Sequence, residues 1–376
     1  MKRTWWLLLI LVSVFSLSAC NGHQVTTPTP TPISFSVTST PLSPMSSDSG
    51  LNLLVVAEGE VELKRDGWSE YRPTALGAML RRGDVMRLSD NAKVVILCDN
   101  LNTWDVPAGA LSGLNGCPQP EEPLLIRHGT LIHNSRQPSE PFIPYIISPR
   151  MTRLLTDQPR LRWNEVAGAS SYTVSLQGVK WEAQLNDTEI VYPGDPPLER
   201  GRSYLLTIVA DNGTKSTDEE PTRLGFVLLS PEEAETVQTY TTTINGLNLP
   251  DESKALALAH LYAEQGLVAE AIEILEPFAE NGTQTAATYR LLGDLYRQIG
   301  LPLLAEGHYV QAITLSEAIN DLEGQAAAQA ALGEVYASLN NKQQAIHWLS
   351  EAQSGYEILG DIQRVIEIAS LLEELE

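Results

Sequence analysis

Cysteine is scarce in this chain, with three in 376 residues. No two of them form a CxxC pair, and the six histidines are scattered, so no metal-ligand spacing or tuned redox dithiol is present and no metal or cofactor is expected. A nucleophile elbow, a phosphate-cradling glycine loop and an HExxH pair are also missing, and the chain is therefore expected not to be an enzyme. Bases are few: 25 Lys and Arg stand against 47 Asp and Glu, for a formal net charge of -22. Such a surface repels a polyanion, so nucleic acid is excluded as a partner. The one long apolar run, Trp5 to Phe15, is too short to span a bilayer comfortably.

That run does have a use at the N-terminus. It follows Lys2-Arg3 and precedes Leu17-Ser18-Ala19-Cys20, so residues 1–19 read as a removable export signal, and its loss takes the charge to -24 because two bases and no acid leave with it. Leu17-Ser18-Ala19-Cys20 resembles a bacterial lipobox. The resemblance implies cleavage before Cys20 and attachment of diacylglyceryl to its sulfur, which would anchor the chain to a membrane on the extracytoplasmic side of the cell envelope. An ordinary secretory signal is the alternative. Asn21 is not the Asp that commonly signals retention at the inner membrane, and the destination membrane is left open. Residues 20–50 are rich in Thr, Pro and Ser and too poor in apolar side chains to offset ordering entropy, so a disordered linker is expected there.

Over residues 51–141, the runs Leu53-Leu54-Val55-Val56, Val61-Glu62-Leu63-Lys64, Lys93 to Leu97 and Leu124 to Ile132 alternate with Gly, Asp and Asn, which predicts a small all-β domain. Gly59 to Arg65, Gly77, Leu80 and Gly83-Asp84-Val85 resemble the FecR-like extracytoplasmic domain. In its namesakes that domain senses or relays envelope signals. Export makes a Cys98–Cys117 disulfide the expected state, with two free thiols or a metal or redox pair as alternatives. Residues 144–229 hold Leu161-Arg162-Trp163, Tyr172 to Leu176 and Tyr204 to Ile208, which alternate as half-buried strands. Their pattern resembles a fibronectin type III or related immunoglobulin-like sandwich, with Trp163 and Tyr204 as core residues. Across residues 230–250, Ser230-Pro231-Glu232-Glu233 predicts a capped helix start, with Val237, Tyr240 and Ile244 on the apolar face.

Residues 251–376 repeat themselves. Aligning Tyr262, Tyr296 and Tyr336 places Leu258-Ala259, Leu292-Gly293 and Leu332-Gly333 at one offset, with Ala271, Ala305 and Ala345 nine residues after each Tyr. Small residues where two helices cross and large apolar ones between them make a unit that needs a neighbour to bury its face. The pattern resembles tetratricopeptide (TPR) repeats, with 34 and then 40 residues between successive Tyr and the extra turn expected around Ile319 to Gln325. A last helix, near Asp361 to Leu375, resembles the family's terminal cap. The family binds partners and does not catalyse. Its partner-facing positions, carried onto this register, are Leu256, His260, Glu264, Arg290, Asp294, Arg297, Gln298, Glu334 and Ser338; Arg290 and Arg297 would take a carboxylate of a partner or pair with Asp294.

The expected fold is thus multidomain: a small all-β FecR-like domain and a β-sandwich, followed by an all-α TPR solenoid. The expected function is a lipid-anchored envelope scaffold that binds a peptide or helix of a protein partner through its TPR groove. A homodimer through the stack is equally compatible. The alternative is a receptor for an envelope glycan or small molecule, using the β domains and aromatic contacts at Trp68, Trp104 and Trp181, with the repeats relaying or dimerising.

Overall fold

The computed structural model describes residues 51–109, 111–118, 142–218 and 225–375. The export signal, Cys20, the linker and the Leu124 to Ile132 run lie outside the described residues. Described residues fall into a β-rich N-terminal part followed by a stack of helices.

The first β module comprises β1 (Leu53–Glu58), β2 (Val61–Lys64), β3 (Arg72–Pro73), β4 (Val85–Leu88), β5 (Lys93–Leu97), β6 (Thr103–Val106) and β7 (Leu111–Ser112). They form two sheets, in the orders β1-β5-β6 and β3-β2-β4-β7. Leu54, Val61, Leu63, Met86, Val94, Ile96 and Val106 form the shared core. Cys98 and Cys117 join at the edge of that core in a disulfide, with their Cα atoms 5.4 Å apart. Leu53, Val55, Val95 and Leu97 point the other way, away from this core, and are buried all the same. A strand apolar on both faces needs a cover on both.

The second module comprises β8 (Ile146–Ser148), β9 (Thr152–Leu154), β10 (Arg160–Trp163), β11 (Tyr172–Gln177), β12 (Glu182–Leu185), β13 (Glu189–Val191), β14 (Ser203–Ala210) and β15 (Phe226–Leu228). A sheet in the order β13-β10-β8 faces one in the order β12-β11-β14-β15-β9. Their inward side chains make one core around Trp163, Tyr172, Tyr192, Tyr204 and Phe226, with Trp163 edge-on to Tyr172 at 5.5 Å. The Glu199 N–H donates to the Tyr204 hydroxyl at 2.7 Å, tying the preceding loop to the start of β14.

Helix α1 (Pro231–Gly246) opens with the expected capping box, in which the Ser230 hydroxyl accepts the Glu233 N–H and the Glu233 carboxylate accepts the Ser230 N–H. Three helix pairs follow: α2 (Asp251–Glu264) with α3 (Val268–Glu280), α4 (Ala286–Gln298) with α5 (Pro302–Ala318), and α6 (Leu322–Ser338) with α7 (Lys342–Leu359), closed by α8 (Ile362–Leu375). The repeated small residues sit where predicted. Ala271, Ala305 and Ala345 are fully buried, and a Cβ on Gly293 or Gly333 would lie 2.7 Å from Tyr309 or Leu349. The extra turn expected around Ile319 to Gln325 falls in part where predicted, since α6 opens one turn earlier than α4 does, over Leu322 to Gln325. The extra residues of the longer repeat lengthen α5 and α6 to 17 residues each and leave a short connection between them.

The second module is fastened to the ends of the first helices of two repeats. The Arg153 N–H and the Thr152 hydroxyl donate to the Gly266 carbonyl, and the buried Arg150 Nε donates to the Ile299 carbonyl at 2.7 Å. Donors at helix C-termini satisfy carbonyls that the helix itself leaves open. Arg162 pairs with Glu276 at 2.6 Å, and the Leu155 N–H donates to Glu270 at 2.7 Å.

Two expectations arise from these contacts. Replacing Cys98 and Cys117 together by Ser releases a link across 19 residues, which the chain-entropy model values at about 3 kcal/mol, to be read as a lower urea midpoint. Glu270 is the second case: burial pushes its carboxyl up to about 7, against the opposing pull of the Leu155 and Thr156 N–H groups. The folded state therefore holds this proton more tightly than the unfolded chain, and stability falls as pH rises from the ordinary value of 4.5 through 7. Glu270→Gln keeps an acceptor for Leu155 but cannot ionise. Its urea midpoint should gain on the wild type as pH is raised through that window.

Candidate functional site

The first helix of each repeat, α2, α4 and α6, contributes side chains to one shared face, and positions two, five, nine, twelve and thirteen of each repeat are the ones expected to meet a partner. Position two is Ser253, Ala287 and Ala327, and position five is Leu256, Arg290 and Ala330. Much of this row is taken by the chain itself. The Ser253 hydroxyl donates to the Val55 carbonyl of β1 at 2.6 Å. Leu256 is fully buried and shares a hydrophobic cluster with Leu53, Val55, Val95 and Leu97. Gly77 lies so close to α4 that a Cβ there would come within 2.2 Å of the Ala287 Cβ. Trp68, 4% exposed, packs with Ala326, Ala330, Tyr356 and Leu359.

An ion cluster secures the same contact. Arg65 donates through Nε and Nη2 to both oxygens of Glu323, at 2.6 and 2.8 Å, while Nη1 pairs with Asp84 and Nη2 also reaches the Met79 carbonyl at 3.0 Å. Burial raises the Asp84 carboxyl despite Arg65. Burial would raise Glu323 too, but Arg65, through its charge and hydrogen bond, takes it below the usual range. A fork-shaped guanidinium with two carboxylates is satisfied on nearly every donor, which is the condition for a buried charge cluster to hold.

The expected partner-facing residues therefore separate. Leu256 is corrected: it is core, covered by the first module, and offers nothing to an outside molecule. Arg290, Asp294, Arg297 and Glu334 come together, but they engage each other. Arg297 Nη1 pairs with Glu334 at 3.0 Å, Tyr309 donates to Asp294 at 2.7 Å and accepts from Arg297 Nε at 3.3 Å, and Arg290 meets Asp294 at 3.5 Å. Burial alone would lower Arg297; Tyr309, Glu334 and Asp294 outweigh it and raise it. His260 is half-buried and held down to about 3 by burial and then by the Arg290 charge, so it is neutral. Glu264 and Gln298 sit half-buried at the C-terminal ends of α2 and α4, and Ser338 is exposed at the end of α6.

Of the tryptophans proposed for ligand contact, Trp68 is buried in the seam. Trp104 is half-buried, lying within 2.3 Å of where a Cβ on Gly116 would stand. Trp181 is half-buried, packs edge-on to Tyr192 at 5.0 Å and lines a shallow hollow with Gln177, Lys180 and Thr207. Sequence reasoning missed Arg65, Gly77 and Glu323 as contact residues. One signal was present: Leu53 to Val56 and Val94 to Leu97 are unbroken apolar runs, the pattern of strands covered on both faces.

Arg65→Ala leaves Glu323 and Asp84 buried without their cation. Loss of one partner from a buried cluster costs about 3–5 kcal/mol, so the urea midpoint should fall accordingly. A change indistinguishable from that of an exposed arginine would show that the module is not held through this cluster.

Among known sequences, the tetratricopeptide repeat family model matches residues 278–358. No curated protein matches the chain. Among solved structures, the chain is similar to BtubC (BKLC) from P. vanneervenii at 19% identity, covering 38% of this chain and 72% of that one with a TM-score of 0.29. It is also similar to the TPR-like repeats of a kinesin light chain candidate from Podosopora anserina, at 19% identity over 38% of this chain and 86% of that one, TM-score 0.28. MamA is similar at 23% identity over 37% of this chain and 84% of that one, TM-score 0.27. The stacked helix pairs with their buried Ala and Gly crossings and the family match agree, and the C-terminal part of this chain carries tetratricopeptide repeats.

Proposed function

We propose that this protein is a lipid-anchored scaffold of the cell envelope whose repeats clamp its own first β module and present an acidic surface to a protein partner. The observation that carries the reading is the seating of that module across positions two and five of the repeats, through Ser253, Leu256, Ala287 and Ala330. The repeats then serve two purposes: they hold the β-rich part in cis, and their acidic helices offer a surface for an interaction in trans. Residues 251–376 contain 20 acids and five bases, and Arg65, Arg290 and Arg297 are engaged with carboxylates, so a partner of basic character fits this surface.

Several features support the envelope setting. Leu17-Ser18-Ala19-Cys20 resembles a lipobox, the Thr and Pro rich stretch after it has the composition of a spacer, and the Cys98–Cys117 disulfide suits an oxidising compartment. The first module is read as FecR-like and the second as a fibronectin type III or immunoglobulin-like sandwich. The Tyr204 hydroxyl held by the Glu199 backbone is the kind of corner such sandwiches use. No catalytic role is assigned.

Two measurements test the reading. Cys20→Ser should move the protein from the membrane fraction to the soluble fraction. Crosslinking of the full-length protein in intact cells should capture a basic protein partner, and joint replacement of Glu264, Gln298 and Ser338 by Lys should abolish that capture. A partner captured equally well by the triple variant, or a Cys20→Ser protein still in the membrane, would overturn the corresponding half of the proposal.

A further inference from the structure

A cavity of about 140 Å³ lies in the seam between the first β module and the repeats. Its walls come from four places in the chain: Arg65, residues 74–79 and Arg81 of the β module, Arg290 of α4, Ser316 of α5, and the stretch from Asp321 to Ala327 with Tyr356, Asp361 and Arg364. At roughly 30 Å³ per water, the space holds a few waters or one small polyatomic ion.

The polar groups of this wall are unevenly satisfied. Arg65 is fully engaged by Glu323 and Asp84. What remains is three guanidiniums, those of Arg81, Arg290 and Arg364, against two carboxylates, those of Asp321 and Asp361. Arg290 and Arg364 each also meet a carboxylate outside the cavity, at Asp294 and Glu367. With Asp84, Asp294 and Glu367 counted beside the lining Asp321, Glu323 and Asp361, six carboxylates surround the four guanidiniums, so the site is marked by its unmet donors and not by net charge. Arg81 Nε is buried and has no hydrogen-bond partner among the described residues. The Ser316 hydroxyl is in the same condition, on a side chain 1% exposed. Unpaired buried donors are rare in folded proteins, and each asks for an acceptor. Burial lowers the Arg81 guanidinium, with Arg65 and Arg364 adding to the shift and Glu323 and Asp84 opposing it, and an acceptor placed here would meet the buried donor.

We propose that this cavity binds a small oxyanion of the phosphate or carboxylate class, hydrogen-bonded by Arg81 from the β module and Ser316 from the repeats. Because the two donors belong to different parts of the chain, bound anion bridges the seam and holds the module in the groove. Binding that exists only in the docked arrangement stabilises that arrangement by mass action. The inference goes beyond the scaffold reading, and its failure would leave that reading standing.

The test uses the full-length protein in detergent, titrated with inorganic phosphate and, separately, with acetate, against sodium chloride of equal ionic strength. At least one of the two should raise the thermal midpoint in a saturable way, bind in calorimetry with a stoichiometry of about one site, and slow amide exchange over residues 74–81. Which anion does so identifies the source of the oxyanion. Ser316→Ala, which removes only an oxygen, should weaken the binding at least tenfold without lowering the ligand-free midpoint, and Arg81→Gln should weaken it more. If Arg81→Gln fails to fold, Ser316→Ala decides. No saturable effect of either anion beyond chloride, or an effect that Ser316→Ala leaves intact, would overturn the proposal.

Discussion

Leu53, Val55, Val95 and Leu97 are buried on the side of their sheet that a free-standing module would turn to water, and the arrangement of the molecule follows from that burial. β1 and β5 are covered by their own core on one face and by the repeats on the other. Apolar surface removed from water at both faces is the dominant favourable term in such a contact. The polar contacts then set register. Ser253 reaches the β1 carbonyl at Val55, and Arg65 reaches Glu323 258 residues away. The close approach of Gly77 to Ala287 requires that neither carries more than it has.

This seating changes what the repeats can do. Three helix pairs offer a face that the family uses for partners, and here the first two partner positions of each repeat are met largely by the chain itself. The charged residues farther along the same helices do not wait for an external ion. Arg297, Glu334, Asp294 and Tyr309 form a network between the second and third repeats, in which each charge is partly desolvated and each has a partner. Such a network orients neighbouring repeats, and its members are poor candidates for recognition because breaking them would strand a buried charge. The second β module adds a further restraint by donating from Arg150, Thr152 and Arg153 to the carbonyls at the ends of α2 and α4. The repeats are held at both the groove and the helix ends.

Much of the local structure could be read directly. The Ser230 capping box, the strands at Val61–Lys64, Lys93–Leu97 and Tyr172–Gln177, the Cys98–Cys117 bond and the three crossings at Ala259, Gly293 and Gly333 all depend on residues near one another in sequence or on a repeated period. The candidate site was legible only in part. The register placed Arg290, Asp294, Arg297 and Glu334 on one face, and the structure brings them together there. It could not say that they satisfy one another, nor that Leu256 is core.

Helix, strand and repeat were determined by the sequence alone, because period, capping and side-chain size act over a few residues at a time. The occupant of the groove was decided only by the tertiary structure. Apolar runs such as Leu53 to Val56 announce that two faces must be covered but carry no address for the second cover. That address lies in contacts such as Val55 with Ser253, 198 residues apart, where shape and charge meet only after both parts have folded.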